Sequence, residues 1–221
     1  MKVQTGIITG CSRGIGFATV DLLTNNENLK VIGTSTSGNC SILKSNFDCY
    51  QLNLSESKSI NEFCNIIGNT KIDFLLNNAG VLLENLNESV INLEHLRQTF
   101  NVNLFGTIEL TEKLIPNFNK NGQIVNVTSD WGSFSEKNPD EFQPHYKMSK
   151  SALNMYTKLL AKRLKNQNII VSSFDPGWTQ TDMGGNDATR KPTEVADDIK
   201  NLLNRVPESG KFWHQGKIRE W

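Results

Sequence analysis

Gly6-Ile7-Ile8-Thr9-Gly10-Cys11-Ser12-Arg13-Gly14-Ile15-Gly16, followed by the helical stretch Phe17 to Leu23, decides the fold. Gly6 to Thr9 is a short apolar run of the kind that forms a buried strand, and the segment after Gly16 has the spacing of a helix. Three glycines between a buried strand and a helix let the backbone turn tightly. They also let an anionic group approach the amides at the helix start, where the macrodipole favours negative charge. The spacing is Gly-x-x-x-Gly-x-Gly, which differs from the Gly-x-Gly-x-x-Gly of the common dinucleotide turn.

Working outward, the pattern of strand and helix repeats. Strands are expected at Leu29 to Thr34, Phe47 to Leu52, Ile72 to Leu76, Gly122 to Thr128 and Ile169 to Phe174, with Trp213 in a short last strand. Helices are expected from a Ser55 cap through Ile67, from Leu93 to Leu114, from Tyr146 to Leu164, and from Pro192-Thr193-Glu194 onward. Such alternation predicts an α/β fold: a Rossmann-type, doubly wound, mainly parallel seven-stranded sheet with helices on both faces. The 221 residues suit a single domain spanning 1–221.

Composition narrows the partners. Lys plus Arg and Asp plus Glu number 23 each, with no basic block or acidic tail, so neither nucleic acid nor a membrane surface is expected. The expected partner is a small molecule. No leader and no run of about 18 apolar residues is evident, which predicts a cytoplasmic protein. The four cysteines, Cys11, Cys40, Cys49 and Cys64, lack metal-ligand spacing and are expected to be ordinary thiols, with no metal bound.

A dinucleotide selected as NAD would meet a carboxylate about 20 residues past the glycines, on its ribose hydroxyls. Thr34-Ser35-Thr36-Ser37-Gly38-Asn39 holds none there. Its hydroxyls, with the Arg13 guanidinium, could accept a 2′-phosphate, so NADP(H) is favoured over NAD(H). Asn53-Leu54, at the end of the third strand, falls where an adenine ring would rest, and Asn77-Asn78-Ala79-Gly80 closes the fourth strand at the same end of the sheet.

Tyr146-x-x-x-Lys150 sets a phenol and an ammonium on one helix face. A cation beside a phenol favours the phenolate and lowers a pKa that starts near ~10, which would suit Tyr146 to proton transfer near neutral pH.

Thr9-Gly10-x-x-x-Gly14-x-Gly16, Asn77-Asn78-Ala79-Gly80, Asn103 in Asn101-Val102-Asn103-Leu104-Phe105-Gly106, Ser129 closing Ile124-Val125-Asn126-Val127-Thr128-Ser129, Tyr146-x-x-x-Lys150 and Pro176-Gly177 occur in this order. On these residues the chain resembles the short-chain dehydrogenase/reductase family, in its compact single-domain branch, over essentially its whole length. The extended branch of epimerases and dehydratases differs in glycine spacing and carries a longer tail. The Pro176 to Gly185 segment and the ending Ser209 to Trp221 look like the carbonyl-reductase and C-factor-like members.

The resemblance implies an oxidoreductase that reduces an aldehyde or ketone by hydride transfer from NADP(H). Tyr146 would be the general acid, Lys150 would tune it and bond the nicotinamide ribose, Ser129 would bond the substrate oxygen, and Asn103 would hold a water in a proton relay. Cofactor contacts are implied at Gly10, Ser12, Arg13, Gly14, Ile15, Gly16, Ser35, Thr36, Asn53, Leu54, Asn78, Ala79, Gly80, Tyr146, Lys150, Pro176, Gly177 and Thr181. Trp131, Trp178 and Met183 could wall an apolar substrate or simply pack. The loop with Trp131, Phe134, Glu136, Asp140 and Glu141 is expected to border the substrate, Asp130 to cap a turn, and the short Asp182 to Lys191 lid to leave the site open. His95, His145 and His214 are assigned no chemistry. Relatives often pair through the helices holding Asn103 and Tyr146, so a homodimer or homotetramer is implied beside a monomer. Two rival readings remain: a non-catalytic NADP(H)-binding sensor or signalling protein, since a fold does not prove turnover, and an NAD-linked alcohol dehydrogenase.

Overall fold

The computed structural model describes residues 3–135 and 139–221; Glu136, expected near the substrate, lies outside them. Strand β1 (Gln4–Thr9) runs parallel between β2 (Leu29–Ser35) and β4 (Ile72–Asn77), and β3 (Phe47–Gln51) lies beyond β2. On the other side follow β5 (Phe118–Val127), β6 (Ile170–Phe174) and β7 (Lys211–His214), all parallel. The order β3-β2-β1-β4-β5-β6-β7-β8 makes an eight-stranded sheet where seven strands are expected from sequence. The extra strand, β8 (Lys217–Arg219), pairs antiparallel with β7 around Gln215-Gly216, two left-handed residues (φ 46° and 75°) that match the twist of a tight hairpin.

Because parallel strands are covered on both faces, successive residues of one strand serve different cores. Ile8 packs with Val20 and Leu23 of α1 (Gly14–Leu23) and Val195, Ile199 and Leu202 of α6 (Pro192–Leu203). Ile7 faces Ile60, Phe63 and Ile67 of α2 (Ser57–Ile67) and Leu110 and Leu114 of α4 (Thr107–Leu114). Each such side chain, fully buried, contributes about 1.5–3 kcal/mol. A third cluster joins Ile124 and Val171 to Leu160 and Leu164 of α5 (Pro144–Leu164).

Two helix expectations change. Ser55 does not cap α2; its amide and hydroxyl are both held by Asn53 Oδ1 (3.1 and 2.8 Å), and Glu56 stands at the cap. The helix expected over Leu93 to Leu114 divides into α3 (Leu93–Phe100), a π-helical turn (Asn101–Gly106) and α4. At the end of that turn a Cβ on Gly106 would sit 1.9 Å from the Leu54 carbonyl oxygen, so only glycine lets the two backbones approach this closely. Asn103 sits in that turn.

Candidate active site

Because β1 lies between β2 and β4, the chain leaves the sheet in opposite directions from neighbouring strands, and a crevice opens at their carboxyl ends. The glycine turn after β1 and the Asn77–Gly80 segment after β4 form its floor. Thr9 Oγ1 accepts the amides of Asn78 and Ala79 (both 3.0 Å), while Asn78 Nδ2 donates to the carbonyls of Thr9 (2.9 Å) and Gly10 (3.1 Å). A Cβ on Gly16 would lie 2.2 Å from the Gly10 oxygen and 2.6 Å from Asn78 Nδ2, so only glycine lets α1 start this close to the turn. The structure thus keeps Gly10, Ser12, Arg13, Gly14, Ile15 and Gly16 in a tight turn running into a helix N-terminus, a shape that fits a pyrophosphate.

Arg13 lies at the edge of this turn. Its guanidinium, exposed, bonds Asp182 Oδ2 at 2.7 Å across the mouth of the crevice. Ser35, the last residue of β2, donates its hydroxyl to the Asn39 carbonyl (2.9 Å), whereas Thr36 and Ser37 are exposed beyond it. Asn53 is tied into its own turn through Ser55 and Glu56, and Leu54 is buried. On the opposite wall, Gly177 N–H donates to Asp175 Oδ1 (2.9 Å), Pro176 offers its carbonyl to Arg190 (2.7 Å), and the Thr181 methyl lies over Gly14. Asp175 is therefore the post that fixes the Pro176-Gly177 turn. Burial alone would raise its carboxyl, but His214, the Gly177 amide and Arg219 together hold it below the usual carboxylate range. The bond to Asp175 in turn raises His214. These contacts tie the β7–β8 hairpin to the crevice, a link that sequence spacing does not show.

The α5 helix carries Tyr146 and Lys150 into the crevice from one face, as the four-residue spacing requires. Lys150 is 3% exposed; its ammonium donates to the Val127 carbonyl (2.9 Å) and lies 5.4 Å from the centre of the Tyr146 ring. Desolvation lowers its pKa from 10.5 to about 8. Tyr146 moves the other way from the sequence expectation. Burial first, then the negative charges of Asp175 and Asp130, push the phenol above its usual 10. The ammonium alone does not outweigh desolvation.

Ser129, two residues beyond β5, caps a 3-10 turn (Asp130–Gly132); it donates to Asp130 Oδ1 (3.0 Å) and accepts the Trp131 amide (3.2 Å). Asp130 also accepts the Trp131 amide (2.9 Å), so it closes a turn, as expected. Asn103 is buried: Oδ1 accepts the Val81 amide, and Nδ2 donates to the Val81 carbonyl (both 2.8 Å) and to Ser149 Oγ (3.1 Å). A Cβ on Gly80 would fall 3.3 Å from Asn103 Oδ1 and 3.5 Å from Lys150 Nζ, so these residues meet at one place. Among the described residues the buried Lys150 ammonium has one hydrogen-bond acceptor, which leaves donors beside Gly80 suited to ribose hydroxyls.

Of the residues expected to wall a substrate, Trp131 makes a T-shaped pair with Tyr146 (6.0 Å between ring centres), and the Lys147 ammonium lies over the Trp131 ring (5.2 Å). Trp178 instead donates its indole N–H to Gly184 (2.7 Å), and Met183 is exposed in the same loop. The four cysteines are free, with Cys11 and Cys49 sulfurs 3.6 Å apart; burial raises the Cys11 thiol well above its ordinary range. No cluster of metal-ligating residues occurs among the described residues, and no helix there is long and apolar enough to cross a membrane.

Residues 4–192 match the family model for short chain dehydrogenases. The chain belongs to the short-chain dehydrogenase/reductase family of oxidoreductases. It is similar to the C-signal protein of Myxococcus xanthus, 32% identical over 158 residues that cover 68% of this chain and 93% of that protein. The 3-oxoacyl-(acyl-carrier-protein) reductase FabG of Buchnera aphidicola subsp. Baizongia pistaciae is 31% identical over 215 residues, covering 92% of this chain and 82% of the relative. Among solved structures, that of Caenorhabditis elegans named for the carbonyl reductase Sniffer superposes with a TM-score of 0.86 at 26% identity over the full length of both chains.

Proposed function

We propose that the protein reduces an aldehyde or ketone to an alcohol with NADP(H), using Tyr146 as general acid. The observation that carries this reading is the buried Lys150 beside Tyr146, with ammonium donors turned to the crevice at Gly80. The names of the FabG relative and the Sniffer structure, both reductases, support it. The dinucleotide, when bound, supplies the hydride.

The chain's own residues do the rest. The glycine turn offers amides to the pyrophosphate, Asn53-Leu54 and Asn78-Ala79-Gly80 border the adenosine and ribose, and Lys150 bonds the ribose next to the nicotinamide. Pro176, Gly177 and Thr181 form the wall that holds the carboxamide side. As negative charge grows on the substrate oxygen, the Ser129 hydroxyl rotates from Asp130 to donate to it, and Tyr146 delivers its proton there. The lysine charge then steadies the phenolate left behind, and Asn103 holds the inner end of a proton path to Lys150. Preference for the 2′-phosphorylated cofactor rests on the missing carboxylate after β2 and on exposed Thr36 and Ser37. Arg13 joins them once it leaves Asp182.

The test is NADPH and NADH consumption with a panel of aldehydes, diketones, quinones and acyl thioester ketones, run beside Tyr146→Phe. Turnover with NADPH that disappears in Y146F is expected. Preference for NADH would overturn the Arg13 argument. The name of the C-signal relative favours one rival, a dinucleotide-binding signalling protein; NADPH binding with no turnover on any substrate would select it.

A further inference from the structure

We propose that Glu84 is the positioning residue for Tyr146: its buried carboxylate fixes the first turn of α5, and so sets where the phenol stands relative to Lys150 and Ser129. The inference rests on the reading of Tyr146 as proton donor.

Glu84 lies in the segment that follows Gly80. Its side chain and that of His145 are both 0% exposed, with His145 Nδ1 2.9 Å from Glu84 Oε1. A buried carboxylate is costly unless its partners are well placed. Here the same Oε1 accepts the backbone N–H of Tyr146 at 3.1 Å. That amide belongs to the first turn of α5, where N–H groups have no partner within the helix. The residue at the usual capping position does not supply one: Gln143 is left-handed (φ 48°) and its side chain makes no cap bond. Instead Gln143 donates from its side chain to the carbonyls of Asn85 (2.9 Å) and Leu86, and from its amide to Glu88 (2.8 Å). The first turn of α5 is thus bound to one segment, Glu84 to Glu88, and Glu84 is the member that reaches Tyr146 itself. A carboxylate at a helix N-terminus is also favoured by the macrodipole.

His145 extends the clamp. Its Nε2 accepts the Asn92 N–H (3.0 Å), so the ring proton is on Nδ1, facing Glu84 off the line of an ideal hydrogen bond. Asn92 caps α3 by accepting the amides of Glu94 and His95. At the other end of the segment, Val81 is held by both polar atoms of Asn103, which also reaches Ser149, and Ser149 donates to the Tyr146 carbonyl (2.8 Å). Tyr146 is therefore gripped at its N–H through Glu84 and at its C=O through Ser149, and both grips lead back to residues 81–84.

Three variants in the full chain separate position from charge. Glu84→Gln keeps the length and the accepting oxygen. The second carboxylate oxygen makes no hydrogen bond among the described residues, so the amide replaces no contact. Glu84→Asp keeps the charge but withdraws the oxygens by one carbon, and Glu84→Ala removes both. The readouts are kcat, the NADPH dissociation constant, and the 13Cζ spectrum of the three tyrosines, with Tyr146 assigned by its absence from Y146F.

For E84Q, kcat should stay within about three-fold of the parent and the Tyr146 resonance should not move. For E84D and E84A, kcat should fall about ten-fold or more, since displacements of an ångström at a reacting group cost up to about a hundred-fold. NADPH affinity should change less than about three-fold, and only the Tyr146 resonance should shift or broaden. A functional E84D beside an impaired E84Q would overturn the proposal in favour of a charge effect. Lower thermal stability with kcat per folded site and the Tyr146 resonance unchanged would also overturn it, as a purely structural role. If E84A does not fold, the E84Q and E84D pair decides alone. Should the parent reduce no carbonyl compound, the proposed function fails, and the tyrosine spectrum still tests Glu84.

Discussion

Lys150→Met should make the protein more stable while removing its activity. The buried ammonium has its pKa lowered from 10.5 to about 8 by desolvation. At about 1.4 kcal/mol per pH unit, keeping it charged at pH 7 costs the folded state about 3 kcal/mol relative to the neutral amine. Methionine fills nearly the same length without charge, but forfeits the ammonium's bond to the Val127 carbonyl, about 2 kcal/mol. The net gain is about 1 kcal/mol at pH 7, or about 2–4 °C in melting temperature for a chain of this size. The sign with pH follows from linkage. Between the folded value of about 8 and the unfolded 10.5 the unfolded chain binds more protons, so parental stability rises with pH across that window, and K150M lacks the rise. Urea unfolding without dinucleotide, at pH 7 and near pH 10, reads both effects. A variant less stable than the parent at pH 7, or a parent–variant difference that does not shrink toward pH 10, would refute the reasoning.

Two further outcomes are expected. Asp130→Asn removes one of the charges that raise the Tyr146 phenol, so the alkaline fall of the reductase reaction, where the phenol loses its proton, should move to lower pH. The profile of kcat/KM against pH reads this, and an unmoved alkaline limb would count against it. Gly106→Ala puts a Cβ 1.9 Å from the Leu54 oxygen, which should cost about 1–3 kcal/mol and about 2–12 °C in melting temperature, with weaker NADPH binding because Leu54 borders the proposed adenine site. Thermal scans with and without NADPH check both.

The sheet was legible because its parallel strands are buried on two sides and stand out as apolar runs such as Ile72 to Leu76 between polar punctuation. β8 was not, since three residues with Ile218 exposed carry no such pattern. Periodicity also ran straight through Asn101–Gly106, because six residues are too short a stretch for an apolar pattern to show a switch from i→i+4 to i→i+5 bonding. Tyr146, Lys150, Ser129 and Asn103 were visible as motif residues, and the fold brings Asn103 and Lys150 together at Gly80. Glu84 was invisible, a single acid in a loop whose partner lies 62 residues away in sequence. Arg13 was seen, but its bond to Asp182 is a tertiary fact.

The reversed shift of Tyr146 has the same origin. A motif places a lysine beside a phenol but says nothing of how much water surrounds them, and desolvation acts on both: it raises the phenol and lowers the amine. On the proposed chemistry this balance suits reduction. A phenol held above its usual range stays protonated at neutral pH, and its proton becomes transferable only when the substrate oxygen turns strongly basic as hydride arrives. Alcohol oxidation needs the phenolate at the outset, the form that burial, Asp175 and Asp130 all oppose. The protonation state in which Tyr146 waits at neutral pH is then set by the depth of the crevice, and the Tyr146–Lys150 spacing alone does not determine it.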